Sequence, residues 1–173
     1  MKENQTMTQS TRPIPDTYRR ITPCLVVDGA AKAIDFYTQV FSATERMRFP
    51  GPDGTIAHAE IEIGDSVVII EDASPHTGTT APPADGLAGS PVFQFIYVDD
   101  VDATVACAVE FGGRLKRAAQ DQFYGDRDAF IIDPFGHGWT IASHVEDVSA
   151  EEMGRRLNQI QGQPTAGEEG PSR

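Results

Sequence analysis

The stretch Val27-Asp-Gly-Ala-Ala-Lys-Ala-Ile-Asp-Phe-Tyr-Thr-Gln-Val-Phe41 decides the fold, because a similar stretch begins 71 residues later. The second stretch reads Val98-Asp-Asp-Val-Asp-Ala-Thr-Val-Ala-Cys-Ala-Val-Glu-Phe-Gly-Gly113. In the first, the apolar residues recur at the spacing of one helical face. They are Ala30, Ile34, Tyr37 and Phe41. The pattern predicts a structural unit that occurs twice.

The residues at either end of these stretches suit helix termini. Asp28 and Asp99 are expected to be the N-caps, because a carboxylate accepts hydrogen bonds from the first free backbone N–H groups. Ser42 and the pair Gly112-Gly113 are expected to end the helices, with glycine free to adopt the left-handed conformation.

Short apolar runs of strand character surround each predicted helix, one before it and three after it. They are 21–27, 44–49, 57–63 and 66–71 in the first half, and 92–98, 114–119, 128–133 and 139–144 in the second. This order predicts an α+β fold of two βαβββ modules, whose curved mixed sheets enclose a cavity for a small molecule. Whether the modules pair within one chain or across a dimer stays open at this point.

The chain divides into six predicted segments. Polar composition at both ends indicates disordered tails, and Ser149-Ala-Glu-Glu152 has the pattern of a capping box for a last helix. The segments are a tail at 1–17, the first module at 18–72, a linker at 73–91, the second module at 92–147, a C-terminal helix at 148–160 and a tail at 161–173.

Composition narrows the classes of partner. The 173 residues carry a formal net charge of −12, which disfavours nucleic acid and anionic membrane surfaces. The polar N-terminus lacks the apolar core of a signal peptide, and a cytoplasmic protein is expected. Neither Cys24 nor Cys107 belongs to a CxxC pair, and both are expected to be small buried residues.

Five segments occur in a distinctive order and spacing. They are Thr22-Pro-Cys-Leu-Val-Val-Asp-Gly-Ala-Ala with Ala-Ile-Asp-Phe-Tyr37, Ala57-His-Ala-Glu-Ile-Glu-Ile-Gly-Asp-Ser66, Val98-Asp-Asp-Val-Asp102, Asp121-Gln-Phe-Tyr-Gly-Asp-Arg127 and Asp133-Pro-Phe-Gly-His-Gly-Trp139. Together they resemble the PhnB-like branch of the vicinal oxygen chelate superfamily, the glyoxalase/bleomycin-resistance proteins. The resemblance covers residues 20–155, and its strength lies in the order and spacing of the five segments.

The resemblance implies four positions for metal ligands. In the metal enzymes of the superfamily these hold His, Glu or Gln. The matching residues here are Thr22, Phe93, Thr140 and Val68, or Glu71 if the alignment shifts. Phe93 offers no donor atom and threonine is a poor substitute for imidazole or carboxylate. We therefore expect no standard metal site and no cofactor, and glyoxalase-type isomerisation or extradiol cleavage is in doubt.

Strand alternation suggests which side chains face the cavity. In 57–63, Ala59, Ile61 and Ile63 form an apolar face, while His58, Glu60 and Glu62 form the opposite one. The polar face can supply a general base, hydrogen bonds to a ligand or an atypical site for one divalent metal with Glu71. A solvated edge strand is the competing interpretation.

Aromatic residues provide the other candidates. Alternation turns Thr22, Cys24 and Val26 inward, with Phe93, Phe95 and Tyr97 as their counterparts in the second module. Ordinary core packing is the competing interpretation for these residues. The loop after 114–119 adds Phe123 and Tyr124 as a lid. It also adds Arg127, either as a clamp for a carboxylate or phosphate or as an ion pair with Asp121, Asp126 or Asp128.

These features predict a glyoxalase/bleomycin-resistance-like protein that binds or sequesters a small organic ligand and acts as a homodimer. The alternatives are a metal-dependent lyase, isomerase or dioxygenase with an atypical site, and a module with a collapsed interior. The predicted ligand-binding residues are His58, Glu60, Phe93, Phe95, Tyr97, Phe123, Tyr124 and Arg127.

Overall fold

A computed structural model describes residues 12–84 and 91–162 of the chain. The predicted tails lie mostly outside these residues, and the boundaries of the six predicted segments stay predictions. The described residues of Met1–Thr38 and Ser42–Thr80 form one compact unit, and those of Gln39–Phe41 and Ala81–Arg173 form the other.

The elements follow the predicted order of strand, helix and three strands, twice over. The first half has β1 (Cys24–Val27), α1 (Ala30–Phe41), β2 (Thr44–Pro50), β3 (Ile56–Ile63) and β4 (Ser66–Asp72), with a single 3-10 turn at Pro52–Gly54. The second half has β5 (Gln94–Tyr97), α2 (Val101–Glu110), β6 (Arg114–Asp121), β7 (Asp126–Ile132) and β8 (Gly138–His144), followed by α3 (Ala150–Gly162).

Each half builds a four-stranded mixed sheet of the same topology. The strand orders are β1-β4-β3-β2 and β5-β8-β7-β6. In each sheet one pair is parallel, β1 with β4 and β5 with β8, and the neighbouring pairs are antiparallel. The predicted α+β fold of two modules is therefore confirmed.

One face of each sheet is apolar and buried. In the first sheet Ala59 and Ile61 are fully buried and lie opposite Ile70 and Val68. In the second sheet the equivalent row contains Ala129, Ile131, Trp139 and Ile141. Helix α2 packs across β6, β7 and β8 and buries Val101, Val105 and Ala108. Burial of these side chains supplies most of the driving force for each module.

The predicted N-cap residues were wrong by one position in both helices. The N-cap of α2 is Asp100, whose side chain accepts a hydrogen bond from the N–H of Ala103 at 3.0 Å. The N-cap of α1 is Gly29, which has no side chain to accept a hydrogen bond, and Asp28 is exposed. Here the carboxylate of Asp72 at the end of β4 takes over, because the parallel register carries it to the start of the helix.

The helix C-termini agree better with prediction. Ser42 caps α1 in the left-handed conformation, and Gly112 follows α2 with a φ of 95°. At α3, the N–H of Glu152 donates to the hydroxyl of Ser149 at 3.2 Å, as the capping-box pattern predicts. None of the described helices is long and apolar enough to cross a membrane.

The first strand of each module is shorter than predicted. Ile21 and Val92 lie outside the strands and are 84% and 65% exposed. The ladder begins only where a parallel partner is present, at Cys24 opposite Ile69 in the first sheet. The prediction that both cysteines are buried was also wrong, because Cys24 is exposed and Cys107 is partly exposed. Cys24 alternates with the buried Leu25 and Val27, so its side chain falls on the other face of β1.

Candidate functional site

The face of the first sheet opposite the apolar row carries polar side chains, as alternation along β3 predicts. This polar face is formed by Cys24, His58, Glu60, Ile69 and Glu71, as the strand register shows. Glu60 is 4% exposed, although it carries a carboxylate, and His58 is half-buried. Glu62, the third residue of the predicted set, is exposed. A buried carboxylate requires hydrogen bonds or opposite charge around it.

Glu60 obtains these partners from β2, from β3 and from the segment that precedes β1. Its Oε1 atom accepts a hydrogen bond from the hydroxyl of Tyr18 at 2.5 Å and lies 3.4 Å from Nε2 of His58. Its Oε2 atom lies 3.5 Å from Nη1 of Arg46. Burial opposes ionisation, but the hydrogen bonds from Tyr18 and His58 and the charge of Arg46 outweigh it and lower the pKa of Glu60.

The imidazole of His58 is shared between two carboxylates. Its Nδ1 atom lies 3.2 Å from Oε1 of Glu71, on the side opposite Glu60. Although Cys24 is exposed by surface area, partial desolvation of its sulfur, the negative charge of Glu71 and a hydrogen bond to Glu71 raise the pKa of its thiol, which disfavours the reactive thiolate. The three residues predicted for an atypical metal site are thus close together through His58. Among residues 12–84 and 91–162, however, no group of three or more His, Cys, Asp or Glu side chains has the geometry to hold a metal ion.

The strand register corrects one position that the resemblance implied. Thr140 pairs with Phe95 in the second sheet, and Cys24, which is 71 residues before Phe95, pairs with Ile69 in the first sheet. Thr140 and Ile69 also lie on the faces of Phe130 and Glu60, respectively. Val68 therefore belongs to the buried apolar face, and Ile69 is the counterpart of Thr140. The implied ligand set becomes Thr22, Ile69, Phe93 and Thr140, which contains no imidazole or carboxylate and does not fit a divalent cation.

The second sheet carries exposed aromatic rings on the corresponding face. This aromatic face includes Phe95, Tyr97 and Phe130, with Phe93 just before the strand. Phe93, Phe95 and Tyr97 are 55%, 49% and 61% exposed. The rings of Phe95 and Tyr97 are 5.3 Å apart, and Phe93 meets Phe130 edge-on at 5.8 Å. All three predicted aromatics thus lie in one row.

A buried carboxylate lies at the end of this row. Asp126 is 4% exposed and accepts a hydrogen bond from the hydroxyl of Tyr97 at 2.7 Å. Its other oxygen lies 2.8 Å from Nδ1 of His144, whose Nε2 lies 3.0 Å from Asp147. Hydrogen bonds to Asp126 and Asp147 raise the pKa of His144. The aromatic face therefore combines apolar surface with fixed polar groups.

A second buried carboxylate on this face, Asp128, is surrounded by donors. It accepts hydrogen bonds from Tyr124 and Gln122, both at 2.7 Å, and forms an ion pair with Arg117. Burial and the hydrogen bond to Asp128 raise the pKa of Tyr124 to about 12. Phe123 packs edge-on against Tyr124 at 5.1 Å. The predicted lid residues are therefore tied to the sheet through Asp128.

Arg127 is directed away from the aromatic face. It alternates with Asp126 and Asp128 on β7, and its guanidinium forms a bidentate pair with Asp102 of α2 at 2.8 and 2.9 Å. Asp121 is a further partner at 3.1 Å, and these hydrogen bonds raise the pKa of Arg127. The observed partners include one of the three predicted, Asp121, and add Asp102.

Sequence reasoning did not identify several members of these clusters. Asp126, Asp128 and His144 belong to strands with the right alternation, and the polar residues on the face of Phe130 were the available signal. Tyr18 precedes β1 and belongs to no periodic pattern, so no signal in the sequence indicates its contact with Glu60.

Comparison with known proteins agrees with this architecture. The model of the Glyoxalase/Bleomycin resistance protein/Dioxygenase superfamily matches residues 19–141. An uncharacterized protein of Mycobacterium bovis is 41% identical over 135 residues, which are 77% of this chain and 88% of that protein.

Solved structures share the fold at lower identity. TioX from Micromonospora sp. ML1 is 26% identical with a TM-score of 0.56, covering 73% of this chain and 99% of TioX. A PhnB protein from Bacillus cereus is 16% identical with a TM-score of 0.54, covering 72% of this chain and 99% of that one. With the repeated βαβββ order and the paired four-stranded sheet topologies, these matches establish that the chain belongs to the glyoxalase/bleomycin resistance protein/dioxygenase superfamily.

Proposed function

We propose that this protein binds and sequesters a small planar organic ligand without the standard metal of its superfamily. The observation that carries the proposal is the aromatic face, where three exposed rings adjoin the buried carboxylate of Asp126. Contiguous exposed aromatic surface beside fixed polar groups is characteristic of binding sites. Sequestration then requires only burial of the ligand.

The chemistry of the face favours flat ligands that carry hydrogen-bond donors. The rings of Phe95 and Tyr97 offer stacking surface. The carboxylate of Asp126 is held in place by Tyr97 and His144. Binding of a ligand to it therefore costs little additional side-chain entropy. The superfamily fold and the departures at Thr22, Phe93 and Thr140 support a role that needs no metal.

The other predicted ligand-binding residues would contribute to ligand binding in different ways. His58 and Glu60 offer polar groups on the first sheet, while Phe123 and Tyr124 offer ring surface near Asp128. Arg127 is held by Asp102 and Asp121, so a ligand would have to compete with two carboxylates for it. It is the weakest member of the set.

The test is a thermal-shift screen of planar organic compounds against chelator-treated full-length protein, followed by titration calorimetry on the best compound. We expect binding without added metal. Phe95→Ala should weaken it by about tenfold or more, because truncating a central residue that acts as a binding hot spot costs about 2 kcal/mol or more. Phe111→Ala is the matched control, since Phe111 is 45% exposed at the end of α2. Loss of every response after chelation, or equal effects of the two variants, would contradict the proposal.

A second candidate function is a glyoxalase-like lyase or isomerase that uses His58. The favouring observation is that both ring nitrogens of His58 lie near a carboxylate, Glu60 on one side and Glu71 on the other. Such an imidazole can accept or deliver a proton. Metal analysis of protein purified without an affinity tag separates a metal-dependent form from a metal-free one. Stoichiometric metal that His58→Ala removes would favour the enzyme over simple sequestration.

Three narrower statements accompany the proposal. We assign the chain to the PhnB-like branch on the five motifs quoted above, and we propose a cytoplasmic location and a homodimer. Light scattering on the full-length protein tests the assembly, because a monomer at micromolar concentration would exclude a stable homodimer.

A further inference from the structure

The polar face of the first sheet is covered by an aromatic side chain from outside the sheet. Tyr18 precedes β1, and its hydroxyl donates to the buried Glu60 at 2.5 Å. The guanidinium carbon of Arg46 lies 5.1 Å from the centre of the Tyr18 ring, within the range of a cation–π contact. Tyr18 therefore uses both its ring and its hydroxyl on this face.

Two buried polar atoms at this contact lack hydrogen bonds. Within the described part of the chain, Nη1 of Arg46 and Oε2 of Glu60 are the buried side-chain atoms that have no hydrogen-bond partner. They form an ion pair at 3.5 Å, so one unused donor and one unused acceptor lie side by side. Buried polar atoms rarely have no hydrogen bond, and such a pair has room for one further donor and one further acceptor, from water or from a ligand. The phenol of Tyr18 reaches only the other oxygen of Glu60.

The segment that brings Tyr18 to the sheet is weakly held. It has no regular secondary structure, and Ile21 on its far side is 84% exposed. Within the described residues, this segment also forms an ion pair between Arg19 and Asp65, in the turn between β3 and β4, at 2.8 Å, where both side chains are about two-thirds or more exposed. Exposed ion pairs contribute little, and segments with few buried contacts open readily.

We propose that Tyr18 is an internal stand-in for the ligand and that an aromatic ligand bearing a hydrogen-bond donor displaces it from Glu60 and Arg46. The inference rests on the proposed binding function and specifies the ligand group recognised by the first sheet. The group is a flat ring for the guanidinium of Arg46, with a hydroxyl or ring N–H for Glu60. An adjacent acceptor on the ligand would also satisfy Nη1 of Arg46, which Tyr18 does not do.

The experiment replaces the internal ring by a free one. In Tyr18→Ala the phenol is removed, and p-cresol, which is the tyrosine side chain as a free molecule, is titrated into the full-length protein while amide NMR shifts are followed. We expect p-cresol to bind Tyr18→Ala at least about tenfold more tightly than wild type, because the internal competitor is gone. The amides of His58 and Glu60 should shift. Toluene, which has the ring without the hydroxyl, should bind Tyr18→Ala more weakly than p-cresol.

Two further variants make the result specific. Tyr18→Phe keeps the ring in place and should resemble wild type in its weak binding of p-cresol. Glu60→Gln in the Tyr18→Ala background should reduce p-cresol affinity, since a neutral amide is a weaker acceptor than a carboxylate. Equal p-cresol affinity in wild type and Tyr18→Ala, or no effect of Glu60→Gln, would overturn the inference. Circular dichroism checks that each variant is folded.

The outcome separates this inference from the proposed function. If the screen on wild type yields a ligand that depends on Phe95 but is indifferent to Tyr18→Ala, the binding function stands and the role of Tyr18 is refuted. If no compound binds wild type while p-cresol binds Tyr18→Ala through Glu60, the Tyr18 site stands and the broader proposal fails.

Discussion

Asp72 caps the helix that begins at Ala30: its Oδ1 atom lies 2.8 Å from the backbone nitrogen of Ala30 and accepts a hydrogen bond from it. The same oxygen accepts from the N–H of Gly29 at 2.9 Å, and Oδ2 accepts from the N–H of Ile56 at 2.7 Å. One carboxylate therefore joins the end of β4 to the starts of α1 and β3.

Replacing Asp72 with alanine should destabilise the protein by about 2 kcal/mol, the upper range for loss of a helix cap, because three backbone donors lose their acceptor. Urea denaturation followed by circular dichroism measures the change in midpoint. Asp28→Ala is the matched control, since Asp28 is exposed and does not cap α1, and it should cost less than about 0.5 kcal/mol. A larger effect for Asp28 than for Asp72 would refute the assignment.

Asp133 should be the most sensitive carboxylate in the second module. It is fully buried and accepts hydrogen bonds at 2.9 Å from the N–H groups of Phe135 and His137 and from the indole of Trp139. Asp133→Ala should cost about 3 kcal/mol or more, because buried donors are left without acceptors. Asp133→Asn should also destabilise the protein, because the amide replaces one of the two acceptor oxygens by an NH2 group that faces N–H donors.

Equilibrium unfolding monitored by the fluorescence of the single tryptophan, Trp139, reports on this region directly. Asp147→Ala provides a comparison at an exposed carboxylate of the same module. If Asp133→Ala and Asp147→Ala unfold at the same urea concentration, the three hydrogen bonds contribute nothing.

Gly125 should not tolerate alanine. Its φ is +99°, and an added Cβ would lie 2.1 Å from the carbonyl oxygen of Glu146, which is backbone and cannot move aside cheaply. Gly125→Ala should lower stability by well over the roughly 1 kcal/mol that a positive φ alone costs. Gly64→Ala isolates that smaller cost, because Gly64 has a φ of +59° and open space around it. Thermal unfolding of both variants gives the comparison, and equal melting temperatures would exclude the steric contribution.

His144 should make stability depend on pH. Both of its ring nitrogens lie at carboxylate oxygens, those of Asp126 and Asp147, and an imidazole can donate from both only when protonated. Because these hydrogen bonds raise the folded pKa of His144, its contribution is complete below the unfolded value of about 6.5. It is lost as the pH rises through the folded pKa.

Unfolding free energies measured on either side of neutral pH test this. In wild type, His144 should contribute more to the unfolding free energy below neutral pH than above it. His144→Gln should remove this pH-dependent contribution. His76→Gln, at an exposed position, is the control. Direct NMR titration of His144 should give a pKa above 6.5, and a lower value would contradict the assignment.

Much of the fold follows from local pattern, and the misses have a common cause. The helices of the two modules, seven of the eight strands to within about two residues, and the buried row of Ala59 and Ile61 were predicted from periodicity. The cap of α1 was missed because Asp72 is 42 residues from Ala30, and only the parallel pairing of β1 with β4 brings it there. The one-residue error at Val68 likewise needed the strand register for its correction.

The candidate site divides in the same way. Alternation along a strand assigns His58 and Glu60 to one face, and Phe93, Phe95 and Tyr97 to another, because neighbouring side chains point to opposite sides of a sheet. The sequence by itself therefore determined the repeat, the order of elements and the faces of the strands. Only the tertiary structure decided that Tyr18 meets Glu60 and that Tyr97 and His144 share Asp126. These contacts join residues many positions apart, and their geometry depends on register and chain path rather than on any local preference.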